Sequence, residues 1–209
     1  MANYPMLNYL LNSVSRHHAK LALLALVGLF VAVFLDHALI SNWQFQRSSF
    51  YANQWQSISH GLISHSTQQL MINIFALLLM FLLFPNAFKS LWWLIALAAS
   101  IASSAYGVFF YHTEIITMSG LAGGLHGLFI FAVLRNRSSA GWLILLALKI
   151  FIDLNGEIFP SYIISHISIT VFQPANPEAN LWGLAGGFFI FGLARTLALI
   201  PVIIELNKN

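Results

Sequence analysis

The sequence predicts an all-α membrane protein. Three observations carry that expectation: charged residues are 7% of the 209, hydrophobic residues are 59%, and the apolar residues gather into six segments. A water-soluble domain carries about a quarter charged residues, so a soluble fold is excluded on composition. Mean hydropathy is +0.79. The length accommodates one domain of about six helices of ~20 residues.

The first segment is Lys20–Ile40 (KLALLALVGLFVAVFLDHALI), too long and without the small-residue cleavage pattern of a signal peptide. The second runs from about Gly61 to Phe84, polar at its start and apolar from Ile74. The third is Leu91–Tyr111, the fourth Ser119–Leu134, the fifth Ala140 to about Ile152, and the sixth Asn180 to about Leu206. The fourth and fifth are short for a full span, which predicts ends inside the protein rather than at a lipid boundary. Residues 1–19 read as a cytoplasmic N-terminal segment, 20–206 as one six-helix domain, and 207–209 as a cytoplasmic tail.

Basic residues set the expected orientation. Arg16, Lys20, Lys89, Arg135, Arg137 and Lys208 fall on one side of a six-span chain, while Glu114, Glu157 and Glu178 fall with Arg47 on the other. Both termini are therefore predicted cytoplasmic. The aromatic loop SNWQFQRSSFYANQWQ joins the first two segments, and Trp43, Phe45, Tyr51 and Trp55 read as interfacial anchors. A net charge of +3 spread along the chain makes no nucleic-acid patch. Without cysteine there are no disulfides, thiolate ligands or Cys nucleophiles.

Polar side chains inside apolar segments are costly and so informative. His65, Gln69 and Asn73 are spaced four apart, one stripe on a helix. They read either as hydrogen-bond donors toward a substrate or as polar glue between helices; spacing leaves both open. Gly123/Gly127 and Gly183/Gly187 are small-xxx-small pairs, predicting that the fourth and sixth helices pack face to face. Lys149 and Asp153 have the spacing of a helical ion pair, read as structural. Eight histidines raise a metal site or transporter as a third reading. No His-xxx-His pair lies within one helix and no inverted repeat is present, so no metal or cofactor is expected.

Together these features resemble the rhomboid intramembrane serine proteases, most closely the rhombosortase-like branch. The branch's helix-four signature is Gly-Leu-Ser-Gly-Val-Leu-His-Gly-Leu, and residues 120–128 read GLAGGLHGL. Its helix-six signature is Ala-His-Leu-x-Gly, and residues 179–183 read ANLWG. The 149/153 pair resembles a Lys-xxx-Glu feature of the branch. The likeness runs from about Gln54 to Gly187. It implies a six-helix rhomboid fold in a bacterial-type inner membrane, with a cleft facing the non-cytoplasmic side.

The departures bear on function. Ala122 stands where the family has its nucleophilic Ser, Asn180 where it has the base His, and Gln69 where a helix-two His precedes Asn73. His65 resembles a second family histidine, one residue short in spacing. Ala122 has no heteroatom and Asn180 takes no proton near neutral pH, so the covalent mechanism is lost. Gln69 and Asn73 keep donors for an oxyanion-hole-like pocket, with His126 reading as a partner of Asn180. Ser119 lies two turns, about 10 Å, from His126, too far for a substitute dyad, and reads as a helix N-cap. The resemblance thus implies a pseudoprotease whose partners are the bilayer, single-span clients with a C-terminal Gly-Gly motif and basic tail, or an active rhombosortase or accessory protein. The alternative is an active rhombosortase-type serine protease in inactivated form. Three departures rather than one favour the pseudoprotease. The segment 155–180, with Pro160, Pro174 and Pro177, occupies the position of a family cap and reads as a gate or a plain ordered loop.

Overall fold

The computed structural model describes residues 16–111, 117–118, 120–136, 140–154 and 177–206, of which 16, 17, 37, 117, 118, 122, 140, 152–154, 177 and 199–206 are described through their backbone alone. These residues are mostly helical. Six long helices are present among them: α1 (Arg16–Leu35), α2 (Thr67–Leu83), α3 (Trp92–Tyr111), α4 (Ala122–Arg135), α5 (Ala140–Leu154) and α6 (Pro177–Leu206). Among the described residues three stretches are long and apolar enough to cross a membrane: His18–Leu35, Trp92–Tyr111 and Glu178–Ala198. Gln56–Leu62 and Thr67–Leu83 would make a fourth only as a pair bent by 98°.

The helix ends follow from local chemistry and correct several expected boundaries. The first segment is not one helix. It begins at Arg16 rather than Lys20 and breaks at Asp36, whose carboxylate accepts the Ala38 N–H at 3.0 Å and starts a short helix, His37–Trp43. The second segment is not one helix either. Ser66 accepts the Gln69 N–H at 3.1 Å and caps α2, so the helix begins at Thr67, and His65 precedes it. α2 stops before Pro85, which disfavours helical geometry in the residue it follows. Leu121, not Ser119, holds the N-cap position of α4, and it makes no side-chain cap bond. α6 starts three residues before Asn180, at Pro177, where a missing N–H costs nothing. Ser119, the 155–176 connection with the expected gate, and residues 1–15 and 207–209 lie outside the described residues.

The connection between α1 and α2 folds back on the bundle. Phe45–Gln46 pairs antiparallel with Thr117–Met118, in register Phe45↔Met118 and Gln46↔Thr117. Phe45, expected as an interfacial anchor, is fully buried, packed with Phe50, Ala105, Val108 and Ala179. Tyr51 and Trp55 are exposed, and Trp43 is half-buried with its ring edge on Trp55.

α4 explains its own shortness. Leu121, Leu125, Leu128, Phe131, Ala132 and Val133 are all buried, so the helix has almost no outward face. It is enclosed by α3 and α6 through small residues. A Cβ added to Gly183 would land on the backbone carbonyl of Gly123, and one on Gly187 on that of Gly127. α4 and α6 therefore run parallel with their backbones touching, the arrangement small-xxx-small pairs permit. α3 closes the other side with Ser100 and Ser104. Their hydroxyls sit where Cβ atoms of Gly127 and Gly123 would be. Their own bonds go to the Ala96 carbonyl, at 2.6 Å, and to the Ser100 and Ala179 carbonyls, both at 2.8 Å. Buried hydroxyls are tolerated here because each is hydrogen-bonded.

Candidate functional site

The site is assembled at the head of α4, which meets the first turn of α2 at Gly120 and the first turn of α6 at Gly123. Gln69 lies in the first turn of α2, and its Oε1 accepts the His65 N–H at 2.8 Å. With Ser66 bonding back to Gln69, this is a shifted capping box. The Gln69 Nε2 is 2.8 Å from where a Cβ of Gly120 would stand, so its amide covers the residue that leads into α4. Gly120 has φ +103°, a left-handed conformation that needs glycine. Its N–H donates to the His60 carbonyl at 3.0 Å. The segment entering α4 is thus held from three directions: the Phe45–Gln46 strand, the His60 carbonyl and the Gln69 amide.

His60 is buried outside the α2 helix, with its Nδ1–H donating to the Gln56 carbonyl at 3.0 Å. Desolvation by burial pushes its imidazole down to about 4, favouring the neutral ring.

Asn73 stands one turn below Gln69 on the buried stripe Leu70–Asn73–Leu77–Met80. It is 5% exposed and its Nδ2 has no hydrogen-bond partner among the described residues, a costly state for a buried amide donor. On α6, Ala179 and Asn180 are buried. Ser104 holds the Ala179 carbonyl, and Ser103 holds that of Trp182 at 2.7 Å. A Cβ on Gly123 would be 2.7 Å from the Ala179 carbonyl oxygen. Positions 122 and 180 are therefore each one residue from a direct α4–α6 backbone contact. His126 is buried one turn below position 122, flanked by the Gly123 and Gly127 contacts.

Gln69, Gly120 and the start of α4 are brought together, as are Gly123 and Gly127 with Gly183 and Gly187. The expected three-residue stripe shrinks to Gln69 and Asn73, because His65 is off the helix and exposed. Lys149 is half-buried on α5; the Asp153 carboxylate lies outside the described residues. Among the described residues no group of three or more His, Cys, Asp or Glu could hold a metal ion. The serines of α3 were missed at the level of sequence. The signal was present, since Ser100 and Ser104 are themselves a small-xxx-small pair.

A groove of about 670 Å³ opens between α2 and α5, with α4 as its floor. Met71, Phe75 and Leu79 form one wall, Leu145, Leu146 and Lys149 the other, and Leu125, His126 and Phe129 the floor. His126 and Lys149 are its strongly polar side chains. At one end, Trp142 meets Phe84 at 5.5 Å and Phe129 at 6.1 Å, ring edge to face. Comparison of the chain with family models, curated proteins and solved structures gives no match.

Proposed function

We propose that the protein is a rhombosortase-like rhomboid pseudoprotease, crossing a bacterial-type inner membrane six times with both termini cytoplasmic. It binds single-span clients of the Gly-Gly-tailed kind, or an active rhombosortase, without cutting them. The observation that carries the reading is the groove between α2 and α5, whose floor includes His126, one turn from position 122. A client helix lying in it would bring its backbone toward Gln69 and the head of α4. There the reading finds amide donors at Gln69 and Asn73 for a carbonyl, but Ala122 offers no nucleophile and Asn180 no base. Binding without turnover is what remains.

The test is co-expression of the chain with a Gly-Gly-tailed single-span client, following client size and co-purification, beside an Ala122→Ser/Asn180→His variant. The expected result is an uncut client that co-purifies with the native chain. Cleavage by the double variant would add that the site geometry is intact. A client that neither co-purifies nor crosslinks to residues lining the groove overturns the reading.

A further inference from the structure

The turn between α2 and α3 leaves a helix head with donors and no acceptor. Leu91 starts α3 by accepting the Leu94 N–H at 3.0 Å, so Ser90 stands just before the first turn of a 20-residue helix. The opening N–H groups of a helix have no partner within it. Among the described residues no side chain bonds to those of Trp92 and Trp93. The Ser90 hydroxyl is buried, 1% exposed, and it too has no partner among the described residues. Buried donors without acceptors are costly, and at the positive end of a helix the acceptor that the dipole favours is an anion. The exposed Lys89 side chain is held beside this head, its ammonium bonded to Asn86 Oδ1 at 2.6 Å. The Asn86 N–H in turn donates to the Asn136 side chain at 3.3 Å, which ties the turn to the end of α4.

The surroundings select a lipid. Leu82 and Leu83, at the end of α2 just before the turn, are exposed. The Gly123–Gly183 and Gly127–Gly187 contacts set Arg195 of α6 level with Arg135 of α4, and so with this turn. Among the described side chains the lysines and arginines at this end are Lys20, Lys89, Arg135 and Arg195, while the carboxylates of Asp36 and Glu178 lie at the opposite end. We infer that the head of α3 binds the phosphate of an anionic phospholipid. Ser90 and the Trp92 and Trp93 N–H groups donate to it, Lys89 stands alongside, and the acyl chains lie over Leu82 and Leu83. Ser90 reaches the phosphate by one χ1 rotation past the half-buried Leu91. The cations at this end favour an anionic headgroup over a zwitterionic one.

The experiment is native mass spectrometry of the full chain in detergent with equimolar phosphatidylglycerol and phosphatidylcholine of the same acyl chains. One retained phosphatidylglycerol is expected, preferred at least fivefold over phosphatidylcholine. Ser90→Ala and Lys89→Gln should each lower that preference at least twofold. Lys20→Gln, which removes a charge from the same end but no donor at the helix head, should leave it unchanged. Thermal unfolding of each variant reports its folding. A large excess of inorganic phosphate should leave the lipid in place. Displacement by that excess would assign the head to the free anion and overturn the lipid assignment. Equal retention of the two lipids overturns the inference as well. So does an unchanged Ser90→Ala with Lys20→Gln as damaging as Lys89→Gln, which would leave a diffuse basic face and no site at the helix head.

Discussion

The glycine contact between α4 and α6 gives the sharpest test of how the bundle is built. In Gly183→Ala the new methyl would stand on the Gly123 carbonyl and 2.8 Å from the Gly123 Cα, where ordinary contact begins at 3.4 Å. Even at the Cα that is about 0.6 Å inside ordinary contact, and deeper at the carbonyl, against backbone that no rotamer change can move aside. The helices must separate, and a gap of ~0.5–1 Å forfeits a quarter to a half of each dispersion contact along the seam. Overpacking of this kind costs about 1–3 kcal/mol. Against it stands a gain of about 0.5–1 kcal/mol from replacing a helical glycine by alanine.

The same helix supplies the control. Gly192 is exposed, and a Cβ there meets nothing within 4 Å, so Gly192→Ala keeps the propensity gain without the clash. Reversible unfolding of both variants in mild detergent, read by tryptophan fluorescence, should place Gly183→Ala about 1–2 kcal/mol below the native chain and Gly192→Ala level with it or slightly above. Equal stability of the two variants would refute the close parallel approach of α4 and α6.

Two further outcomes follow from the segment leading into α4. Gly120→Ala must hold φ +103° with a side chain whose Cβ is 2.8 Å from the Gln69 amide. A cost of about 1–2 kcal/mol is expected, with faster proteolysis near residue 120 as its local readout. His60, held at about 4 when folded and 6.5 when unfolded, contributes stability above pH 6.5 that is lost as pH falls toward 4. That depression corresponds to about 3 kcal/mol. Thermal unfolding from pH 7.5 to 4.5 should fall more steeply for the native chain than for His60→Phe, and parallel curves would show that His60 is not held neutral.

The long apolar helices, three of them among the described residues long enough to cross a membrane, were legible because a helix in lipid must satisfy its own backbone and show apolar side chains, a signal summed over many residues. The glycine pairs were legible for a related reason: close approach demands residues without side chains, and only a few spacings deliver it. The failures lie where a single residue outweighs a pattern. Asp36 ends α1 within an apolar run by capping a new helix, and Ser66 starts α2 inside what reads as one polar-to-apolar segment. His65 fell off its stripe because one cap bond at Ser66 outweighs the four-residue spacing. Phe45 illustrates another limit. Aromatic residues in a loop look alike whether they face lipid or are folded under, and the two-residue pairing with Thr117–Met118 that buries Phe45 involves a partner more than seventy positions away.

The site was legible only in part, and the division has a physical basis. Nothing in a run of apolar residues announces a groove; the space between α2 and α5 arises from how two helices diverge around α4. The chemistry at positions 122 and 180 is separable from the contact that sets their spacing. That contact runs through the backbone of Gly123, Gly127, Gly183 and Gly187 and through the Ser104 bond to the Ala179 carbonyl. Neither depends on which side chains stand at 122 and 180. For this reason Ala122→Ser with Asn180→His tests the proposed function directly. The backbone register that would hold a hydroxyl near an imidazole is fixed by residues the double variant leaves untouched, so its outcome reports on the chemistry alone. Ser104→Ala adds the complementary arm. It removes one hydrogen bond from the Ala179 carbonyl, a loss of about 1 kcal/mol. If any cleavage by the double variant depends on the placement of position 180, it should fall with that bond while client co-purification stays the same.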